Sequence, residues 1–175
     1  ASYEKLIEEK TKEVIKLQED LDIDLITSGE IARDNYVSFI SEKLGGVSQM
    51  SMADMLDYID DKREFENILN TLDVPATSIK NAICTGKLEY KGDIVASELR
   101  LLKKYTKRKV KITLPGPYLV TRSMWLNKLS SKFYDSKEDL GEAVIEIYKK
   151  EIENIQNIGV DVIQFDEPVL TEVVF

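Results

Sequence analysis

Residues 159–170 read GVDVIQFDEPVL. The apolar positions Val160, Val162, Ile163 and Phe165 form a run too short for a helix, and Gly159 separates them from a long helical pattern upstream, so the run predicts a buried strand. Pro168 forbids simple continuation as a central strand. Asp166 and Glu167 therefore stand where a loop opens at the C-terminal end of a strand, the edge that faces ligand in parallel α/β proteins.

Working outward, residues 136–158 predict a long helix: Ser136 is an N-cap candidate with Asp139 in place of the usual Glu of a capping box, and Leu140, Val144, Ile147, Ile152 and Ile155 recur at helical spacing. Residues 109–114 predict a strand ended by Pro115-Gly116-Pro117, with a helix over 118–126. Before it, 77–83 reads as a strand, followed by Thr85-Gly86-Lys87-Leu88 and a helix over 93–105 with Asp93 as N-cap. Residues 34–44, carrying Tyr36, Val37, Phe39, Ile40 and Leu44, read as a helix ended by Gly45-Gly46. Residues 23–27 form a short β-rich run that ends at Ser28-Gly29-Glu30, and 3–20 are an amphipathic helix with Leu6, Ile7, Val14 and Leu17 on its apolar stripe, continued by Leu21. Between 47 and 72 the pattern is weak. Met50, Met52, Met55 and Leu56 read as gap-filling apolar contacts, and Asp57, Asp60, Asp61, Glu64 and Glu66 as a solvated helix face lacking the spacing of a calcium loop.

Strands alternating with helices predict α/β architecture with a parallel sheet and right-handed crossovers. No GxGxxG follows a strand and no P-loop is present, so a (β/α)8 barrel is expected over a dinucleotide-binding sheet. A typical barrel needs about 250 residues; the 175 here are expected to supply one partial barrel domain over 1–175, about four strands of eight.

Composition narrows the chemistry. The chain has no histidine, one cysteine (Cys84) and a net charge of -8. Triads, Cys/His pairs and HExxH zinc sites are thereby excluded from this chain, and acid or base work falls to carboxylates, Tyr, Lys or Cys84. The basic cluster Lys103, Lys104, Lys107, Arg108 and Lys109 reads as a helix C-terminus and its exit, so no nucleic-acid partner is expected. No run reaches membrane-spanning length. A cytoplasmic protein with no membrane partner is the expectation.

Three strand ends carry unusual residues: Glu30, the Pro115-Gly116-Pro117 corner, and Asp166 with Glu167. In a barrel all three would face one mouth. Two carboxylates there can act as acid and nucleophile on a glycosidic bond, or can grip the ammonium group of an amino acid. Spacing leaves both open.

Three motifs stand in a fixed order: Thr27-Ser28-Gly29-Glu30 with Arg33-Asp34; Lys111-Ile112-Thr113-Leu114-Pro115-Gly116-Pro117-Tyr118; and Gly159 with Ile163-Gln164-Phe165-Asp166-Glu167-Pro168-Val169-Leu170. This series, spanning about residues 25 to 172, resembles the catalytic barrel of cobalamin-independent methionine synthases. The resemblance implies zinc-dependent methyl transfer to the thiolate of homocysteine, giving methionine. It implies that Glu30 and Asp166 hold the amino group of homocysteine or methionine and that Glu172 belongs to the methyl-donor side. The family's folate-stacking tryptophan corresponds to Ser123, with Trp125 two residues on, so the donor is expected to be either 5-methyltetrahydrofolate in its polyglutamate form or methylcobalamin. The family's first strand and its zinc ligands are expected outside residues 1–175, and Cys84 is expected in the core. Alternatives within the superfamily are a coenzyme M alkyltransferase and a uroporphyrinogen decarboxylase; a non-catalytic structural fragment is the alternative outside it. A part-barrel should expose two strand edges and an apolar inner face, so a complementary half or a second copy of the chain is the expected partner, and the isolated chain is expected to be inactive.

Overall fold

The computed structural model describes residues 2–59, 62–63, 75 and 80–172. Helix α1 (Tyr3–Asp20) leads into β1 (Leu25–Ile26), then a 3-10 turn (Ser38–Glu42), β2 (Leu44–Ser51), the single turn α2 (Met52–Met55) and a second 3-10 turn (Leu56–Tyr58). Beyond these come β3 (Lys80–Tyr90), α3 (Ala96–Tyr105), β4 (Lys109–Pro115), α4 (Pro117–Met124), the short α5 (Asn127–Ser130), α6 (Lys137–Ile158), β5 (Val162–Asp166) and a last 3-10 turn (Leu170–Glu172).

β1, β4 and β5 form a parallel sheet with β4 in the middle. The register sets Ile26 beside Val110, Thr113 beside Gln164 and Pro115 beside Asp166. Side chains alternate across a strand, and on β4 the alternation is clear: Val110, Ile112 and Leu114 are buried, whereas Lys111 and Thr113 are only partly so. The buried row joins Ile26 in one core with Ile15 of α1, Leu99 and Leu102 of α3, and Leu140, Val144 and Ile155 of α6. All three long helices thus cover one face of the sheet. The other face carries Lys111, Thr113, Gln164 and Asp166. The expected apolar inner face is corrected to a mixed one: the register also sets Leu25 and the exposed Val162 on the Lys111 side, beside these polar residues. Further exposed apolar side chains are Tyr3, Leu6 and Leu17 of α1 with Leu21 just after it at one flank, and Phe165 and Leu170 at and beyond β5 at the other.

β2 and β3 are the largest departure from the expected alternation. They pair antiparallel in a separate two-stranded ribbon, so the parallel sheet holds three of the described strands, not four. The expected helix over 34–44 is a tight turn, begun by Asn35, whose side-chain oxygen accepts from the backbone of Val37 and Ser38. Phe39 and Ile40 are buried by that turn, which accounts for the helix-like spacing. Gly45-Gly46 does not stop a helix but lies in β2, where the register slips between Gly45 and Val47. Gly46 has φ 77°, and a Cβ there would lie 2.1 Å from the Lys87 carbonyl oxygen; only glycine lets the two strands approach. Thr85-Gly86-Lys87-Leu88 likewise lies within β3 rather than after it. The start of the strand expected over 77–83, and the acids Asp60, Asp61, Glu64 and Glu66, lie outside the described residues.

Two helix caps position the elements. Ser136 caps α6, its hydroxyl accepting from the Asp139 backbone at 3.1 Å, and Gly159 closes the helix in the left-handed conformation, as expected. The N-cap of α3 is Val95, not Asp93. Its free Val95 and Ala96 N–H groups donate to Glu151 Oε1 at 2.7 and 3.0 Å, and Tyr90 donates to Oε2. Asp93 instead accepts from Ser97.

Candidate functional site

Glu30 and Asp166 lie beyond and at the C-terminal ends of β1 and β5, on either side of the end of β4. Glu30 follows Gly29 in a turn where both residues have positive φ, 72° and 57°. For a glutamate this left-handed backbone is strained, a state that persists only where the surroundings enforce it. Here they do. The Glu30 N–H donates to Ser28 Oγ at 3.0 Å, and the Arg33 N–H returns to the Glu30 carbonyl at 2.9 Å.

The Glu30 side chain is held by β4 and by Arg33. Thr113 Oγ1 donates to Glu30 Oε1 at 2.5 Å, and Arg33 Nη1 lies 3.2 Å from the same oxygen. Arg33 is itself fixed: its Nε and Nη2 fork onto the two oxygens of Glu98, each at 3.2 Å, Nη2 also donates to the Thr113 carbonyl at 2.8 Å, and the guanidinium lies over the Phe39 ring at 4.7 Å. With its side chain only 4% exposed, Arg33 acts as a strut and not as a free cation. Glu30 Oε2 accepts no hydrogen bond from the described residues, and the Glu30 side chain is 38% exposed. It opens on a cleft of about 310 Å³ whose walls include Thr27, Lys111 and Thr113.

Asp166 is treated in the same way. Its Oδ1 accepts from Gln164 Nε2 at 2.6 Å, and Oδ2 has no hydrogen-bond donor among the described residues. The Asp166 backbone carbonyl accepts from the Gly116 N–H at 2.7 Å, which ties the β5 end to the Pro-Gly-Pro corner. Glu167 completes that tie: its two oxygens accept from the Tyr118 and Leu119 N–H groups at 2.7 and 2.9 Å, at the start of α4. A Cβ on Gly116 would lie 2.0 Å from Glu167 Cδ, so glycine makes room for this side chain. The two adjacent acids have divided roles, Glu167 for the scaffold and Asp166 for the mouth.

Tyr36 stands near both open carboxylates. Its hydroxyl is buried and lies close to the Asp166 carboxylate, but outside the geometry of a hydrogen bond to any described residue. Burial, then the neighbouring Asp166, then the Glu30 charge raise its pKa above the ordinary 10.0, with Arg33 opposing; the phenol stays protonated. Two carboxylates with free oxygens and one protonated phenol form an anionic recess suited to an ammonium group. An orphaned buried hydroxyl is costly unless a ligand or water pairs with it.

The remaining candidates lie away from this recess. Ser123 is half-buried in α4 and Trp125, just past its end, packs partly against the core. Glu172 closes the last 3-10 turn, with its side chain outside the described set. Cys84 is fully buried in β3 and lies 3.3 Å from the Gly86 carbonyl oxygen as a donor; burial raises its thiol pKa. The sequence pattern missed Glu98, Lys111, Thr113, Gln164 and Tyr36 as site residues. The period-two alternation of polar and apolar residues in 111–114 and 163–166 was the available signal for three of them.

A family model described as "Cobalamin-independent synthase, Catalytic domain" matches residues 1–175. The 5-methyltetrahydropteroyltriglutamate–homocysteine methyltransferase of Bacillus licheniformis is 28% identical over 170 residues, covering 97% of this chain and 20% of that protein. The methionine synthase of Sulfolobus acidocaldarius is 25% identical over 159 residues, covering 90% of this chain and 40% of that protein. This chain therefore spans a fifth to two fifths of the length of these curated relatives. A B12-independent methionine synthase from Shewanella sp. W3-18-1, solved in complex with selenomethionine, superposes with a TM-score of 0.70 at 22% identity, covering 96% of this chain and 44% of that one, and shares its fold. A match that runs through the Gly29-Glu30 turn, the Pro-Gly-Pro corner and the Asp166-Glu167-Pro168 strand end without leaving either terminus makes this chain a member of the cobalamin-independent synthase catalytic-domain family.

Proposed function

We propose that this chain forms part of a (β/α)8 barrel whose complete form transfers a methyl group to the thiol of homocysteine, giving methionine, and that Glu30 and Asp166 grip the substrate ammonium group. The observation that carries this is the pair of anchored carboxylates, each with one oxygen committed to the protein and one left open, beside the unpartnered Tyr36 hydroxyl. A barrel is supported over a doubly wound sheet because the long helices share one face of the sheet and leave the other uncovered. The exposed apolar flanks are where further strands and helices, from the remaining half or from a second copy, would pack.

An amino-acid thiol is favoured over coenzyme M or a porphyrinogen because only an ammonium group uses both acids. Glycosidase chemistry needs one carboxyl free to donate a proton to a leaving group; Glu30 Oε1 is instead committed to Thr113 and Arg33. The donor is 5-methyltetrahydropteroyltriglutamate, the substrate in the name of the Bacillus relative, and the cobalamin-independent family description argues against methylcobalamin. Ser123, Trp125 and Glu172 are assigned to the donor side.

Zinc does not fit the described residues. Among the described residues no three His, Cys, Asp or Glu side chains cluster as a ligand set, and the Cys84 thiol is buried with its thiolate disfavoured. No step at this chain's residues runs through the metal. These residues bind and orient: ion pairing at the ammonium fixes one end of the amino acid, which leaves its sulfur to be presented to the methyl carbon. Asp166→Ala in the intact protein should weaken L-methionine binding roughly ten- to hundred-fold, as expected from loss of a charge-assisted hydrogen bond. Unchanged affinity by titration calorimetry would remove the clamp.

A further inference from the structure

The uncovered face of the sheet carries a chain of hydrogen bonds that ends on Asp166. Lys111 Nζ donates to Gln164 Oε1 at 2.8 Å, and Gln164 Nε2 donates to Asp166 Oδ1 at 2.6 Å. The strand register makes this possible. Lys111 and Thr113 on β4 face the same side as Gln164 and Asp166 on β5, with Lys111 two residues before Thr113, the register partner of Gln164.

An amide presents either its oxygen or its nitrogen to a neighbour, and the two ends differ only in what surrounds them. A lysine ammonium can only donate, so the end facing Lys111 must be the oxygen. The nitrogen then faces Asp166. Turned over, the amide would set its oxygen against a carboxylate and its N–H groups against an ammonium, two repulsive contacts in place of two bonds.

We propose that Lys111 is a positioning residue for the ligand ammonium group: by fixing the orientation of Gln164 it holds Asp166 through Oδ1 and leaves Oδ2 for the ligand. This rests on Asp166 being an ammonium-binding carboxylate. The proposal has a sign that bare electrostatics does not share. Lys111 is a cation near a site for a cation, so charge alone predicts tighter ammonium binding when it is removed. Positioning through the amide predicts weaker binding.

The test is L-methionine titration calorimetry on the intact protein carrying Lys111→Met, Lys111→Arg, Gln164→Leu, the Lys111→Met/Gln164→Leu double variant and Asp166→Ala, with thermal melts alongside. Lys111→Met and Gln164→Leu should each weaken binding about tenfold, the scale of one hydrogen bond to a charged group. Lys111→Arg, which keeps a donor, should recover most of that loss. Adding Lys111→Met to Gln164→Leu should cost less than about twofold more, because the lysine acts through the amide. In steady-state assays the KM for homocysteine should rise with a smaller change in kcat. Unchanged or tighter binding by Lys111→Met overturns the proposal, as does an equal loss in the Gln164→Leu background. Should Lys111→Met fail to fold, unchanged affinity in Gln164→Leu overturns it alone. If Asp166→Ala weakens binding and Lys111→Met does not, only the role of Lys111 fails. If Asp166→Ala also has no effect, the ammonium reading fails with it.

Discussion

Glu151 on α6 is fully buried and gives both oxygens to the protein, one to Tyr90 and the other to the two backbone N–H groups at the start of α3. Asp166 at the end of β5 gives one oxygen to Gln164 and keeps the other. Both are carboxylates surrounded by hydrogen-bond donors, yet the first joins the ribbon, α3 and α6 into one body while the second leaves capacity for something absent from the chain. Glu30 follows Asp166, with Thr113 and Arg33 on Oε1 alone. The difference teaches that saturation of a carboxylate, more than its burial or charge, separates a structural acid from a binding one.

Glu151→Ala should break the comparison hardest. It leaves the Tyr90 O–H, which still accepts from Asn154, and the Val95 and Ala96 N–H groups without their acceptor, and at about 1–3 kcal/mol for each unsatisfied group the cost should reach roughly 3 kcal/mol or more by urea unfolding. A variant as stable as the wild type would show that these three donors find other partners and that Glu151 is not the tie described.

Tyr36→Phe tests the other side. Removing a buried hydroxyl that has no partner should raise stability by about 1 kcal/mol while weakening L-methionine binding, since the desolvation penalty is relieved and a ligand contact is lost. A lower melting temperature would mean that the hydroxyl is already satisfied within the protein, which would place Tyr36 with Glu151 and not with Asp166.

The smallest effect is in pH dependence. Burial first, and then the bond to Glu151, push the Tyr90 pKa up from the ordinary 10.0 to about 12. A tyrosine raised in the folded state keeps its stabilising contribution below its unfolded pKa and loses it as pH climbs towards the folded value. Stability should therefore fall between about pH 10 and 12, and Tyr90→Phe should flatten part of that fall. Tyr36, Tyr134, Tyr148 and the Cys84 thiol, raised chiefly by burial, and Lys10, Lys104 and Lys149, raised by their carboxylate partners, contribute to the remainder. An unaltered slope in Tyr90→Phe would separate Tyr90 from the Glu151 cluster.

The legible elements were those whose signal is local. Helix α6 shows its Ser136 cap, its apolar periodicity and its closing Gly159 within one stretch, β4 ends in Pro115, and Pro168 follows β5 by two residues. Glu30 and Asp166 stood out because each follows a short β-rich run. Glu151 and Glu98 did not, and the reason is physical. Glu98 lies in the first turn of α3, where any glutamate is favoured by the helix dipole, and Glu151 sits among charged residues in α6 with its backbone partners more than fifty positions away. The ribbon was misread because Gly45-Gly46 looks the same to a sequence whether it ends a helix or lets two strands touch.

The left-handed backbone at Glu30 narrows the set of residues that can stand there. Non-glycine residues pay about 1–2 kcal/mol for this conformation, with Asn and Asp the most tolerant, but both are one methylene too short to span the same gap to Thr113. Glycine fits the backbone and supplies no charge; glutamine keeps the reach and forfeits the charge without easing the strain. Every single substitution meets at most one of the two demands. Sequence drift at this position has no gradual route from glutamate to another acid, and a functional replacement would require Thr113 or Arg33 to shift in the same step.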